Sequence, residues 1–173
     1  MKELIKNIIS DIQNEVKSNS PDTLFLLKGF TGQSFIDYIS TPISFSDSEK
    51  EKLSISLRKS IQVEKPDFVI SACIGLMKPI NFSKKKHSKR EVLIVLFENK
   101  QGIFHIANFY INRQGKKKVL GFSPAWSYDE DTIKANNFTM AGVLCSWYLS
   151  LEEVNDYISA MQVETTKKPH RPN

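Results

Sequence analysis

The chain has 173 residues, of which 40% are hydrophobic and 25% charged, and its formal net charge is +5. This is the ordinary composition of a globular domain, and a chain of this length can bury enough surface to fold without disulfides, a structural metal or another cofactor. No apolar run approaches the roughly 20 residues that cross a bilayer, and charged residues interrupt the N-terminal segment where a secretory leader would be apolar. We therefore expect a cytoplasmic protein that does not enter a membrane.

Two apolar patterns open the chain. Apolar residues recur at three- and four-residue intervals as far as Val16, which predicts an amphipathic N-terminal helix that ends before Pro21. The β-rich runs 23–30 and 34–40 are separated by Thr31-Gly32-Gln33, so we expect them to pair as a hairpin. The apolar stripe of the helix consists of Leu4, Ile5, Ile8, Ile9, Ile12 and Val16.

A second helix and a buried strand are predicted next. Ser46 and Glu49 have the spacing of a capping box, and the helix that they open should end near Lys65, because a proline follows it. Segment 67–77 has few polar side chains, which is typical of a central strand covered on both faces, and Gly75 marks a candidate bulge. The apolar face of this helix carries Leu53, Leu57 and Ile61.

The second half of the chain predicts an antiparallel meander of three strands. Runs 90–98 and 103–111 flank the turn sequence Asn99-Lys100-Gln101-Gly102. Gly115 then marks a turn into a third strand over 117–122.

The C-terminal third is less regular. Segment 123–137 is interpreted as a long irregular loop, and 138–149 is apolar and ambiguous between strand and helix. A capping box at 150–153 predicts a C-terminal helix to about Gln162. The last residues, 164–173, are predicted to be a disordered basic tail.

Together these elements predict an α+β fold in a single domain over residues 1–163. Its sheet is mostly antiparallel with about six strands, and it has an N-terminal helix, one helix before the central strand and a C-terminal helix.

Positive charge is concentrated in one part of the chain. Segment 78–118 carries +9, whereas the remainder carries −4. If its two lysine clusters share one end of the sheet, they form a patch that can displace counterions from a phosphate backbone or engage an acidic protein. If they lie at opposite ends, the lysines simply keep loops and an edge strand soluble. The candidate binding residues are Lys84, Lys85, Lys86, Lys89, Arg90, Lys116, Lys117 and Lys118.

A second candidate site has the PD…ExK pattern of metal-dependent nucleases. Pro66-Asp67 is followed after one strand by Glu98-Asn99-Lys100. In such sites two carboxylates hold a divalent ion that activates water, and the lysine steadies the developing charge. Gly102 indicates a hairpin turn at this point, so Glu98 and Lys100 are also interpreted as turn residues.

The cysteines and histidines offer little further chemistry. Cys73 and Cys145 lack the spacing of a disulfide or zinc site, and we expect them to be buried thiols. Pairing of Cys73 with His105 on a neighbouring strand would make a nucleophile with an adjacent base. The alternative is a histidine on a half-buried strand face.

One predicted strand ends in Ala72-Cys73-Ile74-Gly75-Leu76-Met77 and is followed by Lys89-Arg90-Glu91 and a meander. This order of elements resembles a family of small uncharacterised proteins of phages and bacterial mobile elements. Its members carry a strand ending in Glu-Ala-Trp-Met and then a meander introduced by Arg-Glu. This chain has the methionine but lacks the glutamate and the tryptophan. The resemblance spans residues 23–122 and implies a cytoplasmic accessory protein, with no established activity.

We therefore predict a non-enzymatic binding protein of this type. It would engage nucleic acid or an acidic protein through the lysine-rich edge of the meander, and it would need no cofactor. The alternative is a small metal-dependent nuclease that uses Asp67, Glu98 and Lys100. Neither interpretation predicts an oligomeric state.

Overall fold

The computed structural model describes residues 1–32, 34–41, 47–77, 90–115, 117–129, 147–148 and 152–153. All six strands belong to one antiparallel sheet, in the order β2-β1-β3-β4-β5-β6. The predicted α+β class with a six-stranded sheet is therefore confirmed. In chain order the elements are α1 (Lys2–Asn19), β1 (Phe25–Thr31), β2 (Ser34–Thr41), α2 (Asp47–Glu64), β3 (Phe68–Met77), β4 (Arg90–Asn99), β5 (Gly102–Gln114) and β6 (Lys118–Asp129).

The first helix covers one face of the sheet, which we call the α1 face. The predicted stripe is buried at four of its six positions, while Leu4 is exposed and Ile9 is half-buried. The helix ends at Ser20, which adopts a left-handed conformation and donates its N–H to the carbonyl of Val16 at 2.8 Å. Buried residues of this face are Ile5, Ile8, Ile12 and Val16 of the helix, packed with Leu26, Ile70, Ala72, Leu93, Val95, Phe97 and Val119 of the strands.

The second helix covers the opposite face, which we call the α2 face. Leu57 and Ile61 pack against Leu27 of β1 and Val69 of β3, and Trp147 completes this smaller cluster. Two helices on opposite faces bury the central strand from Phe68 to Ala72, whereas Leu76 near its end is 67% exposed.

The strand β3 has the predicted burial only in its first half, because Cys73 to Gly75 are half-buried and Leu76 is exposed. Val69 and Ile70 project to opposite faces and both are fully buried. The predicted bulge at Gly75 is wrong, because the pairing of β3 with β4 is continuous from Val69 to Met77. The register shifts of the meander lie instead between Phe97 and Glu98 and at two points of β5.

The strand β6 is longer than the sequence suggested. Residues 123–129, interpreted as part of an irregular loop, continue the strand as far as Asp129. Pro124 lacks an N–H and favours a loop in the sequence, but it is tolerated here because β6 is an edge strand and the register shifts where Pro124 faces Phe109. Residues 130–137 of that predicted loop lie outside the described residues.

Only four residues after Asp129 are described, at 147–148 and 152–153. Glu152 and Glu153 are helical, but the rest of the predicted C-terminal helix and the predicted tail 164–173 lie outside the described residues. Across the described part of the chain, neither helix has the length and apolar character needed to cross a membrane.

Candidate functional site at the basic end of the sheet

Strand register brings both lysine-bearing connections to one end of the sheet. Met77 at the end of β3 pairs with Arg90 at the start of β4, so the segment 78–89 joins two adjacent strand ends. In the meander, Gln114 at the end of β5 pairs with Lys118 at the start of β6. Because β4 and β5 are antiparallel neighbours, these two pairs lie at the same end. We call it the basic end, defined by Met77, Arg90, Gln114 and Lys118.

The structure places three of the eight predicted binding residues. Arg90, Lys117 and Lys118 are exposed at the basic end. No ion pair holds Lys117 or Lys118 within the described ranges. The other five, Lys84, Lys85, Lys86, Lys89 and Lys116, lie outside the described residues.

Arg90 is held by an aromatic ring rather than by a carboxylate. Its guanidinium carbon lies 4.0 Å from the centroid of the Tyr110 ring on β5. Such cation–π contact positions a guanidinium while leaving its N–H groups able to donate. This ring was not recognised from the sequence, because the contact depends on the register of β4 and β5.

A groove of about 630 Å³ opens beside these cations. Its described lining residues are Asp22, Arg90, Glu91, Ile111, Arg113, Gly115 and Lys117. The groove thus combines two exposed cations with a wall in which acidic and basic side chains are paired.

Arg113 forms that wall and is a structural residue. Its Nε donates to Glu91 Oε2 at 2.6 Å, and its Nη2 donates to the carbonyl of Pro21 at 2.7 Å. A third contact runs from Nη1 to the carbonyl of Ser20 at 3.4 Å, directly after α1. This pair adds nothing to the +9 of segment 78–118, because Arg113 and Glu91 both belong to that segment and their charges cancel.

The nuclease-like residues lie at the opposite end of the sheet. Asp67 precedes β3 and its Oδ2 accepts a hydrogen bond from the N–H of Gly32 at 2.9 Å. Glu98 is not a turn residue as interpreted: it is the ninth residue of β4, lies opposite Val69 and is buried. Lys100 lies in the β4–β5 turn, as expected.

Asp67 and Glu98 both affect the pKa of Tyr148. Burial is the main cause that raises the pKa of Tyr148, and the nearby charges of Glu98, Tyr38 and Asp67 raise it further. The hydroxyl of Tyr148 donates to the carbonyl of Pro66 at 3.0 Å, and Oε2 of Glu98 accepts from the N–H of Trp147 at 3.1 Å. No group of three or more His, Cys, Asp or Glu suited to a metal ion occurs among the residues that the structure describes. The nuclease interpretation stays a prediction.

The Cys73–His105 pairing is wrong. Cys73 lies on β3 and His105 on β5, and β4 separates them. The imidazole instead meets the Phe97 ring edge-on, with 5.5 Å between the ring centroids. Burial raises the pKa of the Cys73 thiol, which keeps it protonated and unreactive. Cys145 lies outside the described residues.

Comparison of the chain with protein-family models, curated proteins and solved structures finds no match. The resemblance to phage and mobile-element proteins therefore stays a prediction.

Proposed function

We propose that this protein binds nucleic acid through the phosphate backbone, using the basic end of the sheet. The observation that carries the proposal is the strand register, since the pairs Met77 with Arg90 and Gln114 with Lys118 bring two lysine-rich connections together. Cations gathered at one end of a rigid sheet displace counterions from a polyphosphate more effectively than the same cations dispersed over the surface.

The chemistry of the described cations favours a backbone contact over base recognition. Lys117 and Lys118 are exposed ammonium groups, which act on phosphate as point charges. Arg90 is the only arginine at this end with an exposed side chain among the described residues, and it lies over Tyr110. A surface with so few free guanidinium groups has little means to read bases bidentately, so binding should be largely independent of sequence.

Fluorescence anisotropy with labelled single- and double-stranded oligonucleotides tests this function over a series of KCl concentrations. If all eight candidate cations contact phosphates, the slope of log K against log salt should approach about −7 for the duplex and about −6 for the single strand. Replacing Lys84, Lys85, Lys86 and Lys89 with Glu should abolish binding.

A smaller charge reversal has a matched control within the described residues. Lys117→Glu with Lys118→Glu should weaken binding at least about tenfold, because each lost contact costs roughly 1 kcal/mol and the new carboxylates repel phosphate. Lys52→Glu with Lys59→Glu makes the same change in net charge on exposed positions of α2. Equal weakening by both pairs, binding that does not depend on salt, or no binding at all would contradict the proposal. Preferential binding of polyglutamate would identify an acidic protein as the partner instead.

A further inference from the structure

A second, smaller cleft lies at the end of the sheet opposite the basic end. It has a volume of about 490 Å³ and is formed between the last turn of α2 and the β4–β5 turn. This size is within the range of clefts that hold small molecules and is small for a polymer groove. Its described lining residues are Ile61, Gln62, Lys65, Lys100, Gln101, Gly102 and Tyr148.

The described lining of this cleft carries positive charge. Lys65 and Lys100 line it, and neither forms an ion pair with any described residue. The carboxylates of Asp67 and Glu98, although close to Tyr148, are not lining residues. Among the described residues, the cleft therefore presents two ammonium groups and no lining carboxylate.

Lys65 occupies a backbone position that ordinarily favours glycine. Its φ is +50°, and its N–H closes α2 by donating to the carbonyl of Ile61 at 2.8 Å. A lysine with this backbone is strained relative to glycine. Attraction to the helix C-terminus offsets part of that strain. That attraction does not account for Lys100, which belongs to the β4–β5 turn rather than to the helix.

The remaining lining supplies hydrogen bonds and an apolar floor. Gln62 and Gln101 have side-chain amides that can donate to an anion. Ile61 is buried, and the ring of Tyr148 lies beside it with its hydroxyl already donating to Pro66. An anionic ligand with an organic group could therefore contact the lysines and amides with its charged part and the apolar side chains with its organic part.

From this lining we propose that the cleft binds a small organic phosphomonoester. Two lysines match the charge of a phosphate dianion, on which ammonium groups act as point charges. The organic part would lie against Ile61 and Tyr148. This site is separate from the proposed nucleic-acid surface and does not depend on it.

Titration of the ¹⁵N-labelled full chain with phenyl phosphate tests the assignment by NMR. Phenyl phosphate should produce saturable shifts of the backbone amides of Lys65, Lys100 and Gly102. Phenol should produce none, and benzoate and inorganic phosphate should each bind about tenfold more weakly. Absence of saturable shifts at about 10 mM phenyl phosphate would overturn the proposal, since a Kd near 1 mM would be nearly saturated there. Equal affinity for benzoate or for inorganic phosphate would overturn the monoester assignment.

Two variants remove the cations without disturbing the backbone. Lys65→Gly should raise Tm, because glycine relieves the positive φ, and should still weaken phenyl phosphate binding about tenfold through loss of one charge-assisted contact. Lys100→Gln should weaken it similarly. Lys59→Gln, at an exposed position of α2, should leave binding unchanged. Binding retained in both cleft variants would overturn the proposal. Oligonucleotide affinity measured on the same variants reports separately on the basic end.

Discussion

The carboxylate of Glu98 accepts a hydrogen bond from the backbone N–H of Trp147, and the two residues are 49 positions apart in the chain. Both are buried, at 3% and 8% exposure. Trp147 packs with Leu57 and Ile61 of α2, so this bond joins the end of β4 to the cluster on the α2 face. A carboxylate that could have been a metal ligand thus has a structural role in attaching a distant segment to the sheet.

Replacing Glu98 with Ala should lower the free energy of unfolding by about 1–3 kcal/mol, because the buried N–H of Trp147 loses its charged acceptor. Glu98→Gln retains an acceptor oxygen and should cost less. Urea unfolding followed by tryptophan fluorescence measures both. Equal stability of Glu98→Ala and the unmodified chain would show that this bond contributes nothing.

Lys100→Ala tests the nuclease interpretation without the loss of stability that is expected for Glu98→Ala. The side chain of Lys100 is exposed in a turn, so its loss should leave stability within about 0.5 kcal/mol. A magnesium-dependent cleavage of oligonucleotides that disappears in both Lys100→Ala and Glu98→Ala would support the nuclease. Cleavage that survives both variants would remove these residues from the chemistry.

Tyr148 should make stability fall at alkaline pH. Burial and the nearby negative charges raise its pKa in the folded state above the ordinary value near 10. Between the two pKa values the unfolded chain has lost the proton and the folded chain keeps it, so the free energy of unfolding decreases as pH rises above about 10. Tyr38 contributes in the same direction, because burial and the charge of Glu64 raise its pKa also.

Urea unfolding between pH 8 and about 11.5 checks this dependence, since the interval brackets the ordinary tyrosine pKa. Tyr148→Phe should be less stable at pH 8, because it loses the hydrogen bond to Pro66, and its stability should decline less steeply with pH. Tyr110→Phe, near the basic end, is the control and should keep the steep decline. The same slope in all three proteins would exclude Tyr148 as a source.

Much of the fold was predictable because local patterns and tertiary structure agree. The helical stripe through Ile5, Ile12 and Val16 is buried where its periodicity predicts, and the apolar run of β3 is buried from Phe68 to Ala72. The prediction failed at Pro124, because only the position of β6 at the sheet edge makes a proline acceptable there. Strand order is a non-local property, and no pattern within β6 reports it.

The candidate site was predictable only as residue types. The lysine clusters are visible in the sequence, but their common end follows from the pairing of Met77 with Arg90 and of Gln114 with Lys118. Charge counting also does not show that Arg113 has a structural role, which depends on its pairing with Glu91. The cleft at Lys65 and Lys100 joins a helix end to a turn about 35 residues later, which no spacing rule covers.

Gly29 should tolerate no side chain. A Cβ at this position would lie 2.7 Å from Cε2 of Tyr38 and 2.8 Å from its Oη, on the neighbouring strand β2. Gly29→Ala must displace the tyrosine ring and should cost about 1–3 kcal/mol. Gly121→Ala is the matched control, because a Cβ there has no neighbour within 4 Å, and alanine should leave stability unchanged or slightly higher. Equal unfolding midpoints for the two variants would contradict the close approach.

Arg113 should be among the most costly cations to remove, although it lies in the segment with the greatest excess of positive charge. Its side chain is 7% exposed and joins Glu91 to the carbonyls of Ser20 and Pro21 after α1. Arg113→Ala leaves these acceptors without their donor and should lower the free energy of unfolding by about 2–3 kcal/mol.

Arg90→Ala provides the comparison, because Arg90 is exposed and its contact with Tyr110 should contribute about 0.5–1 kcal/mol. For oligonucleotide affinity, measured well below the unfolding midpoint of each variant, we expect the opposite ranking of Arg90→Ala and Arg113→Ala. There Arg90→Ala should weaken binding, and Arg113→Ala should have little effect, since its guanidinium is already paired with Glu91. Stability measured by urea unfolding and affinity measured by anisotropy on the same two variants would test both halves. If the same variant showed the larger loss in both assays, Arg113 and Arg90 would not have separate structural and binding roles.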